Sequence, residues 1–430
     1  MTEAATTPAS AVSPCWVDRV ATELDGIRVA DRWRQPRDLV TSGAMTGTVK
    51  AEGDGSGDVV REVVSFASND YLGLTHHPDV VAAAHAALDR WGAGTGASRL
   101  VVGSRPLHGE LEAELAVWKH AEDAMLFPTG FAANLGLMST LGGADVTILS
   151  DELNHASVID GCRLARAQVR VFRHGDLEHL GQLLAATAGQ ASPPEGSQTP
   201  GATRGLALVV TDSAFSMDGD VADIDGLLRL CDRYGALLAL DEAHAVLGPE
   251  VPCDGADASA VPVLRMGTLS KALGSLGGFV AGPRPFIDLL RNRARSFIFT
   301  TASTPADTAA ALAALRTVRS PEGEALRRRL RHHVDRLRPG HPTPIVPVVM
   351  GTEDAALAAA ASLLDQGLLV PAIRPPTVPA GTSRLRVTLS AAHTDDQVGR
   401  LLTALGRLGL ARAGVPTGAR VHRARPATSS

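Results

Sequence analysis

Gly235-Ala-Leu-Leu-Ala-Leu-Asp241-Glu-Ala-His244 is a short apolar run that ends in two carboxylates and a histidine. It reads as a strand, with Asp241 at its carboxyl end. Six more runs of the same kind occur at Ala124–Phe127, Val146–Leu149, Val169–Phe172, Leu206–Thr211, Val263–Met266 and Gly278–Ala281. Helical patterns lie between them at Asp79–Trp91, His108–Lys119, Phe131–Leu141, Ala156–Ala167 and Asp223–Tyr234. Strands alternating with helices predict an α/β fold, a mostly parallel sheet covered on both faces. Ligands of such sheets bind beyond the carboxyl ends of the strands. After Val318 the pattern changes to two helices, strands at Ile345–Met350, Leu368–Ala372 and Arg384–Leu389, and a helix at Thr394–Leu408. We read residues 59–317 as a large domain and 318–411 as a smaller α/β domain.

Outside these domains the chain is less patterned. Trp16–Arg34 places Val17, Val20, Leu24, Ile27 and Ala30 on one helical face. Residues 15–58 are a helix and a connection rich in glycine. Residues 1–14 and 412–430 are expected to be disordered tails, and 185–204, rich in Ser, Pro, Thr, Gly and Gln, a surface insertion. The N-terminus lacks a charged start followed by an apolar core, so no signal peptide is expected. No run reaches the roughly 18 apolar residues of a membrane helix.

The 430 residues carry a net charge of −5, which argues against a general nucleic-acid binder. Four scattered cysteines show no C-x-x-C spacing, so neither a disulfide framework nor a zinc site is indicated. Reduced thiols in the cytoplasm are the default. With no H-E-x-x-H and no Cys/His cluster, no metal is expected.

The basic residues carry the next signal. Of 41, only three are lysines: Lys50, Lys119 and Lys271. Lys271 stands among small and apolar residues in Thr268-Leu-Ser-Lys271-Ala-Leu-Gly. Desolvation there favours a neutral amine, and a neutral amine can attack a carbonyl where guanidinium cannot. Asp241 at a strand end can hold a pyridinium nitrogen protonated. Asp-Glu-Ala-His also matches a helicase box, but that reading needs a P-loop lysine after a glycine, and none of the three lysines follows one. The turn Phe127-Pro-Thr-Gly130-Phe131 offers helix amides to a phosphate. Asp212-Ser-Ala-Phe-Ser216 and His155 follow other strand ends. Arg374, before two prolines, is a guanidinium held in place and suited to a carboxylate. Each of these features alone also suits a turn former or a surface residue.

Taken in order, the motifs resemble the α-oxoamine synthases, pyridoxal-phosphate enzymes of the aspartate-aminotransferase fold (fold type I). The matching segments are Ser68-Asn-Asp-Tyr-Leu-Gly-Leu74, Ser98-Arg-Leu100 with Gly103, His108 to Trp118, Gly130-Phe-Ala-Ala-Asn134, Asn154-His-Ala-Ser157, Phe215-Ser-Met-Asp-Gly-Asp220, Asp241-Glu-Ala-His244 and Thr268-Leu-Ser-Lys271. The resemblance covers the chain from about Leu24 to Leu408. The resemblance implies pyridoxal 5'-phosphate as cofactor, held covalently by Lys271, with Asp241 at the ring nitrogen and His244 at the 3-hydroxyl. His155 would stack on the ring, and Gly130, Phe131, Ser216 and Thr268 would contact the cofactor. Arg374 would hold the amino-acid carboxylate, with Thr377 and Arg34 touching substrate.

Within the family, Ala372-Ile-Arg-Pro-Pro-Thr-Val-Pro-Ala-Gly-Thr382 and Arg384-Leu-Arg-Val-Thr-Leu-Ser-Ala-Ala-His393 resemble the members that condense L-alanine with a pimeloyl thioester in biotin biosynthesis. The acyl carrier would be coenzyme A or a carrier protein. Lys271 would take the alpha proton, and the condensed acid would lose carbon dioxide. A homodimer is implied, with Thr300 and Thr301 reaching the neighbour's phosphate, and no nucleic-acid or membrane partner. One departure stands out. Asp241-Glu-Ala-His-Ala-Val-Leu-Gly248 is two residues shorter than the Asp-Glu-Ala-His-Gly-Thr-Gly-Val-Leu-Gly form usual there. This leaves open a paralogue that uses glycine, serine or another acyl thioester. A non-catalytic partner subunit is a further alternative, though such subunits typically lose the lysine.

Overall fold

The computed structural model describes residues 14–30, 32–51, 59–189, 205–252 and 261–410. The expected tails and residues 190–204 of the expected insertion lie outside these, apart from Pro14, which starts a helix. By contacts the chain forms two units. The first runs to Val40 and includes Thr48–Arg61. Its helix, Pro14–Val29, is shorter than the expected 16–34, and residues 32–38 are not helical. Gln35 precedes Pro36, and a residue before proline is biased away from the helix. Arg34 therefore lies beyond the helix, exposed.

The second unit holds everything else. Its centre is a seven-stranded sheet in the order Asp123–Phe127, Gly278–Gly282, Val263–Thr268, Leu237–Asp241, Leu206–Asp212, Val146–Asp151 and Gln168–Phe172. These are the seven strands expected from the sequence; six are one or two residues longer at an end, and the one expected at Ala236–Leu240 is shifted by one residue to Leu237–Asp241. Gly278–Gly282 runs antiparallel to both neighbours, and the five strands beyond it are parallel to each other. Leu238, Ala239 and Leu240 are fully buried, as central strands covered on both faces must be. Capping fixes the helices between. Asp223 accepts from the Gly226 amide at 2.9 Å to start Ile224–Tyr234, and Gly235 ends it at φ 65°. A residue with a Cβ adopts that left-handed backbone only at a cost.

The C-terminal part departs from expectation in three ways. One helix, Pro321–Leu337, follows Val318 where two were expected, and a helix at Glu353–Asp365 separates the strands. The expected strand Leu368–Ala372 breaks at Pro371, which has no amide hydrogen for a ladder. Leu368–Leu369 pairs with Val64 and Ser65, while Ala372–Ile373 pairs with Ser383–Thr388. The latter strand and Ile345–Gly351 complete a three-stranded sheet. Helices at Leu177–Gly189, Arg284–Arg293 and Pro305–Val318 were also not foreseen. The first takes residues 185–189 out of the expected insertion. The third buries ten of its fourteen residues, so it has no polar face to give a helical period. No helix among the described residues is long and apolar enough to cross a membrane.

Candidate active site

Asp212 and Asp241 end adjacent parallel strands and face each other in register. Burial, and then the nearby Asp241 charge, push the Asp212 carboxyl well above its usual range. Asp241 is held from two sides. Its Oδ2 accepts from Asn134 Nδ2 at 2.7 Å and its Oδ1 from the Ala243 amide at 2.9 Å. Asn134 also donates to Ser157 Oγ at 2.8 Å, and His155 Nδ1 lies 2.7 Å from that hydroxyl. One buried network thus joins Asp241 to His155, whose residue is exposed.

Lys271 follows the strand Val263–Thr268 in a compact loop. Leu269 and Leu273 on either side are buried, and Leu269 N–H bonds the Gly277 carbonyl at 2.9 Å. Gly274 closes the loop at φ 58°, where a Cβ would stand 2.6 Å from the Thr75 nitrogen. Lys271 Nζ lies 2.8 Å from His244 Nε2. On the other side of the ring, Nδ1 lies 2.5 Å from Tyr71 Oη, which donates to Asn69 Oδ1 at 3.1 Å. A neutral His244 carrying its proton on Nδ1 satisfies both contacts. Burial, then the Lys271 charge, hold its pKa well below the ordinary value, in keeping with that state. Burial also lowers the Lys271 pKa, opposed by Asp241 and Asp212. Arg386 donates to Asn69 Oδ1 at 3.1 Å and to the Ser216 carbonyl at 2.5 Å.

The helix Gly130–Leu141 points its N-terminus at the same end of the sheet. Thr129 Oγ1 accepts from the Ala132 amide at 3.0 Å and the Thr129 carbonyl from Ala133 at 3.1 Å. The first-turn amides of Gly130 and Phe131 have no intrahelical partner. A Cβ on Gly130 would stand 3.3 Å from Thr268 Cβ, so these two positions touch. Thr268 Oγ1 donates to the Gly277 carbonyl at 3.0 Å.

The structure therefore gathers Lys271, His244, Asp241, His155, Gly130 and Thr268 at the carboxyl ends of the strands, and Ser216 meets this group through Arg386. Arg374 and Thr377 lie beside the three-stranded sheet, where Arg374 is 3.7 Å from Glu353 and its carbonyl accepts from the Thr377 amide at 3.1 Å. Arg34 belongs to the other unit. Sequence reasoning gave no role to Asn134, Asp212, Tyr71 or Arg386. Tyr71 had a signal, being one of only two tyrosines in the chain.

Comparison with known proteins agrees with this geometry. Residues 61–405 match the aminotransferase class I and II family. The 8-amino-7-oxononanoate synthase of Methylobacterium sp. (strain 4-46) is 48% identical over 373 residues, covering 86% of this chain and 91% of that protein. The protein of the same name from Anaeromyxobacter dehalogenans is 50% identical over 361 residues, covering 80% and 86%. A solved serine palmitoyltransferase from S. paucimobilis, with a PLP–myriocin aldimine bound, is 28% identical with a TM-score of 0.77, covering 93% of this chain and 99% of that one. The chain belongs to the aminotransferase class I and II family and, within it, to the α-oxoamine synthases.

Proposed function

We propose that this protein joins L-alanine to a pimeloyl thioester with loss of carbon dioxide, giving 8-amino-7-oxononanoate and a free thiol. The observation that carries this is the 48–50% identity to 8-amino-7-oxononanoate synthases over most of the chain. The cofactor is pyridoxal 5'-phosphate, and the residues present fit it. Lys271 offers a desolvated amine, Asp241 a carboxylate already fixed by two donors, His155 an exposed ring, and Gly130 and Phe131 the amides for a phosphate. His244 and Thr268 stand beside these groups, and the Ser216 carbonyl reaches them through Arg386. Asn134 Oδ1, buried without a hydrogen-bond partner, adds an unused acceptor next to Asp241. When bound, the cofactor supplies an electron sink for the charge left at the alpha carbon of alanine.

The chain's own groups do the rest. Asp241, fixed by Asn134 and the Ala243 amide, presents its carboxylate where a ring nitrogen can share a proton with it. Lys271, with its pKa lowered by burial, accepts the alpha proton and later returns it. Neutral His244 accepts from the Lys271 ammonium and holds Nζ in position. Arg374 takes the alanine carboxylate. Thr377 adds a further substrate contact. We divide the chain into a cofactor domain (59–317) and a smaller domain (318–411), and place the enzyme in the cytoplasm as a homodimer. Leu100, Val101, Val102 and Phe299 support the dimer, being apolar and 58–72% exposed beside Thr300 and Thr301.

The likeness to serine palmitoyltransferase favours serine with a longer acyl thioester as a second reading. A panel of alanine, glycine and serine crossed with pimeloyl and palmitoyl thioesters separates the two. Thiol release and product mass with alanine plus pimeloyl thioester are expected. Release with serine plus palmitoyl thioester alone would overturn the proposal and leave the family assignment intact.

A further inference from the structure

His174 lies outside the groups assigned above, yet it holds two acids at once. Its Nδ1 is 3.0 Å from Asp151 Oδ1 and its Nε2 is 2.6 Å from Asp220 Oδ2. Asp151 is the buried last residue of the strand next to Leu206–Asp212. Asp220 belongs to the tight turn Phe215–Asp220, closed by the Phe215 amide on the Asp220 carbonyl at 2.9 Å. Phe215 packs edge-on against the His174 ring, with centroids 4.4 Å apart.

That turn joins the two sheets. On one side it continues from Asp212 and Ser213, and Ser213 donates to the Asp241 carbonyl at 3.0 Å. On the other side the Ser216 carbonyl takes Arg386, Asp218 takes Arg384, and the Gly219 carbonyl accepts from Thr343 Oγ1 at 2.7 Å. The fit is close, since a Cβ on Gly219 would come within 1.9 Å of the Ile345 carbonyl. Arg386 in turn reaches Asn69, then Tyr71, His244 and Lys271.

We propose that His174 is a positioning residue: as an imidazolium bridging Asp151 and Asp220, it clamps the Phe215–Asp220 turn so that Arg386, and through it the chain ending on Lys271 Nζ, keep their places. Only a doubly protonated ring donates to both carboxylates. The charges around it agree. Asp151 and Asp220 face the ring, Glu152 accepts from the His174 amide at 2.9 Å, and Asp212 ends the next strand. Arg173 beside it pairs with Asp176, and His341 lies beyond Asp220. Although burial opposes it, the hydrogen bonds His174 donates to Asp151 and Asp220 raise its pKa to about 10. The inference rests on the reading of Lys271 as the cofactor-bearing group.

The test uses the holoenzyme and His174→Gln, Asp220→Asn and the double variant. Heteronuclear NMR of the wild type, with the His174 signals assigned by difference from His174→Gln, should show both ring nitrogens protonated at pH 8. A neutral ring there would overturn the proposal, and this arm still decides if the variants do not fold. In folded single variants kcat should fall roughly ten- to hundredfold, the scale of a misplacement of about 1 Å. The KM values should change little, and the midpoint for pH titration of the visible cofactor band should shift. The double variant, whose two amides can pair, should recover much of the loss. Single variants with wild-type stability, kcat and titration would refute the clamp. A wild type lacking any Lys271-dependent band would instead refute the reading of Lys271, with the NMR result standing apart.

Discussion

Gly278 gives the sharpest test of how the cofactor end of the sheet is built. It lies in register between Phe127 and Thr268, on the strand of the large sheet that runs against both its neighbours. A Cβ there would stand 2.5 Å from the Gly130 nitrogen and from the Thr129 carbonyl carbon and oxygen. All three are backbone atoms, so no side chain can swing away. Restoring ordinary contact, near 3.5 Å, needs a shift of about 1 Å at the start of the Gly130–Leu141 helix. That shift moves the Gly130 and Phe131 amides that we assign to the phosphate. Losing one hydrogen bond to a charged group costs about 1.5–3 kcal/mol, or roughly ten- to hundredfold in Kd. Gly282, four residues on in the same strand, is the control. Its Cβ would also meet an atom at 2.5 Å, but that atom is Leu264 Cδ2, the far end of a side chain. Both Gly→Ala variants should lose about 1–3 kcal/mol of stability by overpacking. Only Gly278→Ala should also weaken pyridoxal-phosphate binding, read by titrating the apoenzyme and following absorbance. If both variants are destabilised and both bind the cofactor as the wild type does, the phosphate does not rest on those amides.

Three further outcomes are expected. Lys271→Ala and Lys271→Arg should both lack the visible cofactor band and turnover, because guanidinium cannot replace a neutral amine; turnover in either, measured by thiol release, would remove Lys271 from its role. Glu242→Gln should lower stability by about 3–5 kcal/mol, since it breaks a buried pair that Lys119 and Arg265 make with Glu242 at 2.7 Å each, while leaving the cofactor band in place. His174 sets a pH dependence of stability: its folded pKa of about 10 exceeds the ordinary value of 6.5, so its contribution is complete below the lower value and is lost as pH rises through the upper one. Allowing for solvent screening of a partly exposed ring, we expect about 2–3 kcal/mol. Urea midpoints of wild type and His174→Gln should therefore converge as pH rises to 10.

The large sheet was legible in the sequence because each of its strands is a short apolar run between turn residues, a local signal. The missed helix Glu353–Asp365 has six alanines among its thirteen residues, and alanine on several faces blurs the period. Leu177–Gly189 was half hidden because its last turns, Ala-Ala-Thr-Ala-Gly, share the composition of the stretch that follows. The site divides in the same way. Lys271, Asp241, His244 and His155 each sit in a compact motif at a strand end. Tyr71 and Arg386 owe their place to partners 173 and 317 residues away, His244 and Asn69, and no local pattern encodes such a meeting. Asn134 stood inside a quoted motif without a role, because its two acceptors come from other elements.

The shortened run after His244 can now be weighed against the contacts that fix the turn. Asp241 and Glu242 are adjacent acids with opposite duties. Asp241 is gripped by Asn134 on the side of the site, whereas Glu242 is sequestered between Lys119 and Arg265. The Glu242 amide bonds the Met266 carbonyl at 2.8 Å, which ties the turn to the strand leading to Lys271. His244 is then fixed between Tyr71 and Lys271. The departure from the family begins only at Ala245, whose amide bonds the Glu242 carbonyl at 3.1 Å and so starts from an anchored base. Asp241 and His244 are thus secured before the chain reaches the shortened part, and His244 in turn contacts Lys271 Nζ. The two-residue difference therefore falls on residues 245–248, beyond the contacts that hold Asp241 and His244. By this reasoning, replacing Ala245 with Gly-Thr-Gly should alter KM for the thioester and leave the cofactor band as it is. A changed band would mean that the short loop supports the site after all.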